Sequence, residues 1–136
     1  MHIPKNTNVV IFKSLNMYRQ VAATELARLL AVLSHPARLR IVEELREGER
    51  DVNTLMEVLG ISHSGVSQHL AKLRDQRVVD LRREGRHTFY RLRDPALAEW
   101  IAAGLGFVLS DSVRAVAVGK AAARARRLWS PSSAAR

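Results

Sequence analysis

Apolar residues recur at helical spacing along most of this chain and switch to alternation over one short stretch. Leu15, Tyr18, Ala22, Leu26, Leu29, Leu30 and Leu33 keep a stripe over several turns, which predicts a first helix over 14–33. Ser34-His35-Pro36 interrupts it. Pro36 suits the first turn of a second helix, where its missing N–H costs nothing. Leu39, Ile41, Val42 and Leu45 point inward, and that helix runs to about Glu47 before Gly48. Asp51 caps a third helix over 52–59, with Leu55, Met56 and Leu59 toward the core, and Gly60 ends it. Ile61 anchors the next corner. Ser62 caps a fourth helix that reaches about Arg77, with Val66, Leu70 and Leu73 as its buried stripe.

Two short helices joined by a tight, glycine-containing corner read as a helix-turn-helix. The fourth helix leaves Ser64, Gln68, Lys72 and Asp75 on its far side, flanked by Gly65 and Ser67. Short neutral side chains at the helix start allow close approach to a duplex, and Ser and Gln can address base edges or phosphates. The same periodicity alone would also suit an ordinary amphipathic surface helix.

After Arg77 the pattern alternates. Residues 78–83 read as a strand, Glu84-Gly85 as a turn and 86–92 as the return strand. This β-hairpin carries Arg82, Arg83, Arg86 and Arg91 around its tip. A charged hairpin by itself is a solvated edge protected from aggregation. Directly after a candidate recognition helix it is a wing, placed to reach phosphates or the minor groove.

Asp94-Pro95 starts another helix, to about Leu109, that is apolar on nearly every side: Leu97, Trp100, Ile101, Leu105, Phe107. Such a helix must be buried, and a small chain has little core left for it, so a second subunit is the expected cover. Ser110-Asp111-Ser112 marks a break, with Asp111 or Ser112 capping a last, basic helix to about Leu128 and a disordered tail from Trp129. The expected organisation is a loose arm over 1–13, a body over 14–109, and a basic helix with tail over 110–136. The class is mostly α with a small β-hairpin (α+β), a winged helix-turn-helix.

Composition sharpens this. The chain has 136 residues, enough for one domain with a real core, and 47% are apolar, so it should fold. The formal net charge of +9 points to a polyanionic partner, nucleic acid first. No cysteine is present, which excludes disulfides, thiolate metal sites and cysteine nucleophiles. The five histidines are scattered without a metal spacing, and His69 is expected to be a structural group. No nucleophile-elbow turn or glycine-rich phosphate loop appears, so neither an enzyme nor a cofactor is expected. Met1–Asn6 lack the apolar core of a secretory signal, and the most apolar run contains Glu99 and is too short to span a bilayer. A cytoplasmic protein with no membrane contact is the expectation.

Three blocks carry a family resemblance: Leu33 to Val42 (LSHPARLRIV), Leu59 to Leu73 (LGISHSGVSQHLAKL) and Arg83 to Leu92 (REGRHTFYRL). In this order they resemble the ArsR/SmtB family of winged-helix repressors, over roughly residues 22–103. The resemblance implies a homodimer built from the first and last helices of the core, with Leu15, Tyr18, Ala22, Leu26, Leu97, Trp100, Ile101 and Leu105 as its contacts. It implies a pseudo-palindromic double-stranded DNA operator, released when an effector binds. It also implies that His63, Ser64, Ser67 and Gln68 read bases and phosphates, with Arg86 at the wing tip. The family's metal and thiol sensors do not carry over: the cysteines are missing and the helix over 95–109 has no histidine. The effector is then a small organic molecule or absent. Two other readings stay open: a sequence-indifferent, architectural DNA binder led by the basic C-terminal helix, and an interaction module docking through the helix over 95–109.

Overall fold

The computed structural model describes residues 5–110 and 116–130. Helix α1 (Lys5–Leu33) is followed by α2 (Pro36–Glu44), strand β1 (Arg50–Asp51), α3 (Val52–Leu59) and α4 (His63–Asp75). Strands β2 (Val79–Glu84) and β3 (His87–Leu92), then α5 (Ala96–Ser110) and α6 (Val116–Trp129), complete the order. The sheet is antiparallel, in the order β1-β3-β2.

The core forms where the helix-turn-helix meets the sheet. Ile41 and Val42 of α2, Leu55 of α3 and Val66, Leu70 and Leu73 of α4 are fully buried there. Val32, Leu33, Leu45, Val78, Val79, Leu92 and Ala98 close around them. Burying each such large side chain contributes about 1.5–3 kcal/mol, so α4 is held by its inner stripe and its outer face is free for other work.

Caps set the corners. Asp51 accepts from the Thr54 N–H at 2.8 Å and starts α3. Gly60, at φ +67°, ends α3 in the left-handed conformation that glycine adopts without strain. Ser62 Oγ accepts from the Gly65 N–H at 3.1 Å and starts α4. At the other end of α4, the Arg77 N–H donates to Arg74 O and the Val78 N–H to Leu73 O, both at 2.9 Å. That is a Schellman closure, with Arg77 at φ +57° where glycine is usual.

Several expectations change. Residues 5–13 are no loose arm: they are the first turns of α1, which runs uninterrupted past position 14 for 29 residues, about 43 Å. No proline or glycine lies between Lys5 and Leu33 to stop it. Helix α2 ends at Glu44, short of Glu47, and its cap is His35, whose Nδ1 accepts from the Ala37 N–H at 3.1 Å. The hairpin belongs to a three-stranded sheet, because Arg50 and Asp51 pair with Tyr90 and Phe89. The turn is Gly85-Arg86, with Gly85 at φ +60°, as a type II′ turn requires, so Arg86 sits in the turn and not on the return strand.

Helix α5 is partly covered from within the chain. Helix α6 packs on it, Ala102 and Ala122 are buried, and Arg46, just past α2, donates to the carbonyl of Ser130, just past α6, at 2.9 Å. A second subunit is therefore not needed over that flank. Trp129 is helical; the expected break at 111–112 and the tail from 131 lie outside the described residues.

Candidate nucleic-acid interface

Helix α4 presents two outer rows. Ser64, Gln68 and Lys72 follow one another at four-residue spacing, and all are exposed. Beside them His63 and Ser67 form a second row, with Ser67 Oγ 3.4 Å from His63 Nδ1. The face is polar and, in its first two turns, carries no acidic side chain. Gly65 is half-buried: a Cβ there would lie 3.3 Å from Ser62 Oγ and 3.7 Å from Ile61 Cδ1, so its glycine is already explained by the capping turn. Lys72 ends the first row in a shallow cleft shared with Arg28, Arg38, Asp75 and Gln76, at the side of α1.

His69 faces the other way. Arg38 Nε donates to its Nδ1 at 3.3 Å, and the His35 ring lies 4.4 Å from it, centroid to centroid. Accepting at Nδ1 places the neutral ring's proton on Nε2. Burial, then the neighbouring His35 and Arg38 charges, push the His69 pKa below the usual histidine range. His69 is thus a group of the α2–α4 junction, as the sequence suggests.

The four wing arginines do not gather at the tip. Arg83 is paired with Thr88 one step from the Glu84–His87 end of the ladder, and Arg86 is in the turn. Both are exposed, and neither makes a hydrogen bond or ion pair among the described residues. Arg91 stands opposite Asp80, four pairs from the tip, about 13 Å back along the strand. Arg82 is engaged by Glu49 at 2.9 Å and Glu84 at 2.6 Å, with its guanidinium 4.8 Å from the Phe89 ring centroid. Those carboxylates hold its pKa above the usual arginine range, and Arg82 in turn holds Glu49 below the usual carboxylate range. Glu49 lies 33 residues from Arg82, so no local motif could have revealed the pair.

Of the expected dimer contacts, Leu15, Tyr18, Ala22, Leu26 and Trp100 are exposed. Leu97, Ile101 and Leu105 are half-buried, and Leu97 and Ile101 pack against the chain's own core. Val9, Val10, Ile11, Phe12, Met17 and Val21 extend the exposed apolar surface of α1 well beyond the sequence-derived set. No group of three or more His, Cys, Asp or Glu able to hold a metal occurs among the described residues. No described helix is long and apolar enough to cross a membrane.

A capped helix-turn-helix followed by a cationic β-hairpin defines the class: a winged-helix DNA-binding protein. Similarity to known proteins narrows it. Residues 35–80 match the model of the bacterial regulatory protein arsR family. Over 81 residues the chain is 44% identical to the biofilm growth-associated repressor of Agrobacterium fabrum, covering 60% of this chain and 69% of that one. The crystal structure of the transcriptional repressor BigR from Xylella fastidiosa superposes with a TM-score of 0.58 at 39% identity, over 65% of this chain and 90% of the other. A homodimeric winged helix-turn-helix DNA-binding domain from Mycobacterium bovis gives 0.54 at 27%, over 62% and 84%. The chain belongs to the ArsR family of transcriptional regulators; it is a DNA-binding regulator and not an enzyme.

Proposed function

We propose that the protein represses transcription as a homodimer on a pseudo-palindromic operator. Each copy lays α4 in the major groove, so that His63, Ser64, Ser67 and Gln68 meet base edges and nearby phosphates, with Gly65 in the capping turn that starts the helix. Arg83 and Arg86 meet the flanking backbone or minor groove, with Lys72 and Arg91 adding positive charge farther out. The observation that carries this is the acid-free outer face from His63 to Gln68 on a helix whose other side is locked in the core. The exposed apolar surface of α1, with Trp100 on α5, supports a second copy as partner. The Mycobacterium bovis domain is itself described as homodimeric. A repressor of this kind works where the bacterial chromosome is, in the cytoplasm.

An uncharged organic effector suits this chain better than a metal ion. A cavity of ≈ 690 Å³ between α1, α2 and α5 is lined by Leu30, Leu33, Leu39, Trp100 and Ile101, with Ser34 supplying the hydroxyl. Such a site suits a mostly apolar molecule with a hydrogen-bonding group. Footprinting with solution mass measurement tests the operator and homodimer reading. A short protected palindrome, with two chains per site, is expected; uniform coating of the duplex or a monomer on DNA would refute it.

A further inference from the structure

Glu49, Arg82, Phe89 and Glu84 share the outer face of the sheet. The register puts Asp80, Arg82 and Glu84 on the same side as His87, Phe89 and Arg91, while Val79, Leu81, Tyr90 and Leu92 face the helices. Arg82 starts on β2, lies across the Phe89 ring on the middle strand β3, and meets Glu49 just before β1. Its Nε also faces both Glu49 oxygens, at 3.2 and 3.3 Å, and its second terminal nitrogen donates to Glu84. Phe89 is the pair at which β1 stops, since Asp51 is its partner. Beyond it the wing is a bare two-stranded ribbon through Arg83–Thr88 and Glu84–His87. The bonds therefore sit at the root of the free part.

We propose that Arg82 is a positioning residue for the wing, a strap across all three strands that sets the angle at which Arg83 and Arg86 are presented to DNA. It rests on the operator reading above. The guanidinium already serves two carboxylates and an aromatic face. Giving it to a phosphate would leave Glu49 and Glu84 unpaired beside the polyanion. Arg83, on the opposite face, and Arg86, in the turn, carry no such commitment.

The test is the sign of one effect. Glu49→Gln removes a negative charge from the DNA-facing half of the protein, which ordinarily tightens binding. A strap predicts the reverse. On a duplex of about 30 base pairs selected by the wild-type protein from a randomised pool, Glu49→Gln should bind roughly three- to tenfold more weakly. The log–log salt slope should become shallower by about 0.9 for each phosphate no longer neutralised. Arg82→Lys should behave the same way, because a lysine keeps the charge but cannot bridge two carboxylates while stacking. Equal or tighter binding by Glu49→Gln, or wild-type affinity in Arg82→Lys, overturns the strap. Amide exchange over 79–92 without DNA gives a separate reading: faster exchange in both variants is expected, and unchanged exchange overturns it. Failure of the wild-type protein to select any duplex would instead sink the operator reading, leaving the exchange result to decide the strap.

Discussion

Replacing Arg77 with glycine should make the protein more stable. Arg77 ends α4 at φ +57°, with its own N–H and that of Val78 closing back onto Arg74 and Leu73. An L-residue with a Cβ is disfavoured in this conformation by roughly 1–2 kcal/mol. Glycine removes that strain but adds unfolded-state freedom worth roughly 0.5–1 kcal/mol. The difference leaves a net gain of about 0.5–1 kcal/mol, or roughly 2–4 °C in melting temperature for a chain of this size. The two closing hydrogen bonds are backbone bonds, and Leu73 and Val78 stay buried, so the rest of the closure is unchanged. Arg77→Ala is the control: it deletes the same charge and most of the side chain while keeping the Cβ. Thermal and urea melts of the three proteins decide the matter. A destabilised glycine variant, or an alanine variant that gains as much, would refute the argument. DNA affinity should change little, because Arg77 lies about 20 Å along the helix from His63.

Three other outcomes are expected. Ser62→Ala leaves the Gly65 N–H without its acceptor, so it should cost about 1 kcal/mol in a denaturant melt and weaken operator binding by fraying the turn that carries His63 and Ser64. Arg86→Ala should weaken specific and random duplexes alike and make the salt slope shallower by about 0.9 per protomer; a selective loss on the operator would contradict a phosphate role. The third concerns acid. With its folded pKa depressed, His69 is protonated more readily in the unfolded chain, so stability falls as pH drops through the usual histidine value toward the folded one, and levels off below it. His69→Gln should therefore lose less stability than wild type between about pH 7.5 and 5.5; identical losses would remove His69 as the cause.

The sequence exposes what is local. Gly60, Ser62 and the Val66–Leu70–Leu73 stripe announce a corner and a helix because each acts within a few residues. The start of α1 is hidden for a related reason: Val9 to Phe12 are consecutive apolar residues, which show no helical stripe when nothing of the same chain covers them. Strand β1 is two residues long and overlaps the cap function of Asp51, so no alternation could reveal it. The role of Arg82 needs a partner 33 residues away. The packing of α6 on α5 depends on small side chains, Ala102 and Ala122, that carry little signal of their own.

One guanidinium joins three helices. Arg38, on α2, donates to the carbonyl of Val32 in the last turns of α1 at 3.1 Å and to His69 on α4 at 3.3 Å. Leu30 and Leu33, on either side of Val32, line the apolar cavity. Any displacement of the last turn of α1 must therefore either break the first of these bonds or load the second. The connection between α1 and α4 is a single side chain long, and its far end is the residue next to Gln68.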